Sequence, residues 1–246
     1  MSTIFQYPIA YVEQLSNFES KRSAACAAGI KGLAIKVFDA GENPAAVENR
    51  QRLMTGEGAV LRSLGFVLGA WACPRTAPTS SAGALSRIYA NLSLSFVVWE
   101  TEWEYKSDGG GLDVAVLIKA WRALRPKAYT GFAVEGGPPT TFNHAAVQAD
   151  PNSFLCPENY WLQHGSYDQR ASLTRCLQLG WTLDRVKPTL TGVEGHSMSE
   201  AIIRAYRAEM SVLPTQGYLV WRGDMLGAED YRLLGLATGL ALPAYR

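Results

Sequence analysis

The sequence holds no run of about eighteen apolar residues, so no transmembrane helix is expected. It has only three histidines and four cysteines in 246 residues. No two cysteines form a C-x-x-C pair, and no histidine stands at ligand spacing from any of them. No metal site is expected. G-x-S-x-G, P-loop and H-E-x-x-H patterns are missing too, which removes the common signatures of serine hydrolases, nucleotide hydrolases and zincins. No G-x-G-x-x-G follows an early strand, which weakens a dinucleotide-binding reading. No cofactor is expected. Neither charge sign is in surplus: 23 Lys and Arg face 22 Asp and Glu, a net charge of +1. Nucleic acid and anionic membrane surfaces are therefore not expected partners. The stretch Met1 to Pro8 lacks the basic start and apolar core of a secretory signal. Synthesis in a cytoplasm is the expectation.

What is present is apolar and alternating. Hydrophobic residues make up 48% and charged residues 18%, the balance of a chain that buries a large core. β-rich runs recur at 9–12, 32–38, 66–71, 94–100, 128–134, 159–163, 189–193 and 217–221. Most are apolar on both faces, as strands of a covered parallel sheet are. Helical patterns lie between them. Ser16 with Glu19 reads as a capping box and Asn43-Pro44 as an N-cap with a first helical position. Asp168 is placed to cap a helix over 169–179, and Ser197 with Glu200 to open one running to Val212. Eight strand-helix units over 1–246 predict one α/β domain, a single (β/α)8 TIM barrel. An open doubly wound sheet is the competitor.

In such a barrel the working face lies at the carboxyl ends of the strands. The residues gathered there are Glu13, Lys36, Asp39, Trp71, Glu100, Glu102, Glu104, Glu135, Gln163, His164, Glu194, His196, Trp221 and Asp224. The strongest local signal is Val98-Trp99-Glu100-Thr101-Glu102-Trp103-Glu104. Residues two apart on a strand share a face, with Cα atoms about 6.6 Å apart. Glu100 and Glu102 are thus expected to look into the mouth together, flanked by Trp99 and Trp103. Of two close carboxylates, one keeps its proton to higher pH. That suits glycosidic bond cleavage, which needs an acid for the leaving oxygen and an ionised partner. Aromatic faces nearby suit stacking on sugar rings. Lys36 interrupts an apolar strand and must find a carboxylate or the mouth. A positioning ion pair is its expected role; a Schiff-base lysine is the rarer alternative. Cys73 follows a strand and would need a His partner to act as a nucleophile. Buried free thiols are the default for the rest.

Several of these segments resemble the glycoside hydrolase family 25 lysozymes. Ala34-Ile35-Lys36 with Asp39-Ala40-Gly41-Glu42 looks like that family's I-K-x-x-E-G region, and Gly65 to Trp71 its G-x-x-x-G-A-Y strand. Glu100-Thr101-Glu102 stands where the family has D-x-E. Ala128-Tyr129-Thr130-Gly131 is similar to its fifth strand, and Tyr160 to His164 to its sixth. The resemblance implies hydrolysis of the peptidoglycan sugar backbone, with Glu102 as proton donor and Glu100 as the stabilising or attacking partner. Lys36, Asp39, Trp71, Trp99, Tyr129, Glu135, His164, Glu194 and Trp221 are the expected glycan-binding residues. The departures lie at the first strand, Ala10-Tyr11-Val12-Glu13, at Glu100, the first member of the pair, where the family has Asp, and at Val220-Trp221-Arg222. They open a second reading: a barrel without activity, structural or sugar-binding, in a larger assembly such as a phage tail or baseplate. Its partners would then be other virion proteins.

Overall fold

In the computed structural model, residues 7–41, 43–75, 77–101, 113–135, 138, 140–159, 169–191 and 217–238 are described. The strands are β1 (Ile9–Val12), β2 (Gly32–Asp39), β3 (Val67–Cys73), β4 (Phe96–Glu100), β5 (Tyr129–Glu135), β6 (Ser153–Asn159), β7 (Thr189–Thr191) and β8 (Leu219–Trp221). Each pairs in parallel with the next, and β8 returns to β1 through Ile9 with Leu219 and Ala10 with Val220. The sheet is therefore a closed barrel, the expected (β/α)8 fold. The helices are α1 (Leu15–Phe18), α2 (Arg22–Ala27), α3 (Pro44–Arg52), α4 (Gly58–Ser63), α5 (Pro78–Asn91), α6 (Val114–Leu124), α7 (His144–Gln148), α8 (Gln169–Gln178) and α9 (Ala228–Thr238).

Local chemistry sets the helix starts. Asn43 accepts from the Ala45 N–H at 2.8 Å, with Pro44 at the first helical position of α3. The Ser16–Glu19 capping box does not form. The chain enters α1 at Leu15, and distant side chains serve the free donors instead. Asp224 accepts from the Glu13 and Gln14 N–H groups at 3.3 and 3.2 Å, and Asn49 from the Leu15 N–H at 3.0 Å. Asp168 and the helix expected from Ser197 to Val212 lie outside the described residues.

The sixth strand is the main correction. It runs Ser153–Asn159, beginning six residues before the expected 159–163, of which 160–163 lie outside the described residues. Pro157 has no N–H and reads as a strand breaker. Here it lies inside β6, paired in register with Val134 of β5.

Alternation sorts the apolar residues of β1 to β6 and β8 into two layers. Ile9, Tyr11, Ala34, Trp71, Phe96, Val98, Ala133, Phe154, Cys156 and Leu219 fill the barrel. Val12, Leu33, Ile35, Val97, Trp99, Phe132, Val134 and Leu155 face out into the helical ring. Trp99 meets Trp121 of α6 edge-on at 5.6 Å, and the Trp121 Nε1–H donates to Thr130 Oγ1 at 3.1 Å. Truncating a tryptophan buried this fully costs about 3–5 kcal/mol. Inside, large rings need blank neighbours. A Cβ on Gly69 would stand 2.4 Å from the Phe96 ring, and one on Gly131 would stand 2.6 Å from the Phe154 ring.

Candidate active site

The carboxyl end of β4 carries Glu100 into the barrel. Phe96 and Val98 face inward, so Glu100 follows at the next inward position. Its side chain is 4% exposed. Glu100 Oε2 accepts from the Trp71 Nε1–H at 3.2 Å.

Trp71 is the hub of an aromatic cluster. Its ring lies edge-on to Tyr11 at 5.5 Å and to Trp221 at 4.9 Å, and Tyr11 meets Trp221 at 5.1 Å. These three rings come from β3, β1 and β8. The Tyr11 hydroxyl is fully buried and has no hydrogen-bond partner among the described residues. Burial pushes that hydroxyl well above its ordinary pKa, and Cys156, Glu158, Glu100 and Cys73 add to the shift.

Lys36 sits on the other face of the hub. Its Nζ lies 4.3 Å from the Trp71 ring centroid and 3.6 Å from Asp39 Oδ2. A bulge makes this possible. Lys36 pairs with Trp71 and Phe38 with Ala72, so β2 carries one residue more than β3 here. The extra residue puts positions 36 and 39 on one side. Asp39 also accepts from the Gly41 N–H at 2.9 Å and from Arg75 Nε at 3.1 Å. Burial alone would raise the Asp39 carboxyl; the Gly41 and Arg75 hydrogen bonds and the Lys36 cation outweigh it and hold the group below the usual carboxylate range.

β6 brings a residue that the misplaced sixth strand hid. Glu158 follows Phe154 and Cys156 in inward parity and is 1% exposed. It pairs in register with Glu135 of β5, of which only the backbone is described. A second polar cluster seals the seam between β1 and β8. Arg222 Nη1 lies 2.9 Å from Glu13 Oε2, and Arg222 Nη2 lies 3.5 Å from the fully buried Asp224.

The structure thus brings Glu100, Lys36, Asp39, Trp71 and Trp221 together. Two expected residues fall elsewhere. Trp99 faces the helical ring, because it neighbours Glu100 and so takes the opposite parity. Tyr129 opens β5 and pairs with Phe96, at the amino ends of the strands and away from the mouth. Glu102, His164 and Glu194 lie outside the described residues. Tyr11, Glu158 and Arg75 went unread; for the first two, two-residue alternation carries the signal. Burial pushes the Cys73 and Cys156 thiols well up, so neither supplies a thiolate near neutral pH. Among the described residues, no group of three His, Cys, Asp or Glu is arranged to hold a metal ion.

Two buried carboxylates beside an aromatic wall can move a proton and stack a neutral ring. Chitinases and other glycosidases are among the structures this chain resembles. The neighbours include glycoside hydrolases. Active domain 2 of the thermostable chitinase from Pyrococcus furiosus matches with a TM-score of 0.69 at 10% identity, over 96% of this chain and 97% of that one. The spore cortex-lytic enzyme SleL of Bacillus megaterium QM B1551 matches at 0.63 and 10%, over 93% and 73%. A tryptophan synthase from M. tuberculosis matches at 0.60 and 15%, over 96% and 93%. At such identities the likeness shows the shared barrel, and no single chemistry. No protein-family model and no curated protein matches the sequence.

Proposed function

We propose that this chain is a glycoside hydrolase that cleaves an amino-sugar polymer of a cell wall, by acid and base catalysis from carboxylates at the end of β4. The observation that carries the reading is Glu100: inward, buried and hydrogen-bonded to Trp71 at the carboxyl end of its strand. Glu102 shares its parity in the sequence and is the proposed proton donor, with Glu100 as the ionised partner. Trp221, only partly buried, supplies a face for a sugar ring. Lys36 and Asp39 border the same space. The wall-glycan choice draws on the barrels of a chitinase and a spore cortex-lytic enzyme among the similar structures.

The test is release of reducing ends from peptidoglycan and from chitin oligosaccharides. Wild-type protein is expected to release them from at least one. Glu102→Gln should lower kcat by about 10²–10⁴-fold while the fold is kept. Sugar binding by wild type and variant alike, without turnover in either, would instead favour a non-catalytic glycan-binding barrel.

A further inference from the structure

Trp71 joins two groups that do not meet directly. On one side its Nε1–H donates to Glu100 Oε2 at 3.2 Å; on the other the Lys36 ammonium stands 4.3 Å from its ring centroid. Lys36 is held there by Asp39, which is tied in turn to Arg75. The order runs Arg75, Asp39, Lys36, Trp71, Glu100, from the rim to the interior. Each link is charged or charge-oriented, and Lys36, Asp39, Trp71 and Glu100 are all buried.

We propose that Trp71 is a positioning residue which, braced by Lys36 and Asp39, fixes the orientation of Glu100 and favours its ionised form. The inference rests on the reading of Glu100 as the ionised partner of a catalytic pair. An N–H donor aimed at a carboxylate stabilises the charged state, and a cation close behind the donor adds to the effect. An indole also supplies no proton near neutral pH, so it orients the carboxylate without competing for the reaction. The cation–π contact keeps the lysine charge against the indole that donates to Glu100. Other groups lie near Glu100: Tyr11 from β1, Cys73 from β3 and Cys156 from β6, with Asp39 beside Cys73 and Glu158 beside Tyr11 and Cys156.

The indole N–H is its own reporter. In ¹⁵N–¹H spectra of the intact protein, the Trp71 Nε1–H resonance is the one lost in Trp71→Phe. We expect it to move with pH along a single titration in wild type and to stay flat in Glu100→Gln. In Lys36→Met the midpoint should move to higher pH, and in Lys36→Arg it should remain close to wild type. The same titration persisting in Glu100→Gln, or a Lys36→Met midpoint unchanged from wild type, would overturn the proposal. The spectrum needs no turnover. A protein that passes this test and never cleaves a glycan refutes the proposed function alone.

Discussion

Lys187 carries an amine into the floor of the barrel. It is 1% exposed and lies just before β7, where its Nζ donates to the Tyr7 carbonyl at 3.2 Å. Burial pushes its pKa down to about 7, with the neighbouring Cys156 working against the shift. The sign of its effect on stability follows. Below about pH 7 the amine is protonated in both the folded and the unfolded chain. Above that the folded chain releases the proton and the unfolded chain keeps it, so stability rises with pH. Between about pH 7 and about pH 8 the slope should be roughly 1 kcal/mol per pH unit. Buried thiols pull the other way only at higher pH, where unfolded cysteines ionise. Urea melts at stepped pH check this, and Lys187→Met should flatten the slope. At this scale much of the site could be read from residue order. Lys36, Trp71 and Glu100 interrupt or end apolar strands, and parity sends them inward. Trp99 shows the limit, since it neighbours an inward acid and therefore faces out.

Strands and helices tell a second story, in which space is shared between neighbours. β3 gives up a side chain at Gly69 so that Phe96 of β4 can fill the barrel. Gly69→Ala should therefore destabilise the protein by about 1–3 kcal/mol through overpacking. Phe96→Leu in the same chain should return part of that loss, a coupling that a double-mutant cycle in denaturant reads directly. β1, β2 and β4 match their sequence expectations closely, because long apolar runs bounded by turns mark covered strands. β6 does not, because Pro157 disguises a strand as a break. The error of register concealed Glu158, whose Phe154-x-Cys156-x-Glu158 alternation is plain once the strand is placed. The start of α1 was illegible for another reason. Its cap comes from Asp224 and Asn49, far away in the chain, and local patterns carry no trace of such partners.

For the whole molecule, alternation of strand and helix predicts a closed ring, and closure decides where the strand ends converge. β8 meets β1, so Trp221 reaches Tyr11 and Trp71 although Trp221 and Tyr11 stand 210 positions apart in sequence. Spacing along one strand could place Glu100 on the inner face; only closure could bring Glu158 and the three rings around it. No helix among the described residues is long and apolar enough to cross a membrane. The outward layer of the described strands packs against the helices. The most direct measurement is a crystal structure of Glu102→Gln with a chito-oligosaccharide. A sugar ring should rest against Trp221, with a polar atom within hydrogen-bond reach of Glu100. An oligosaccharide bound only outside the mouth, or none bound at all at saturating concentration, would contradict the account.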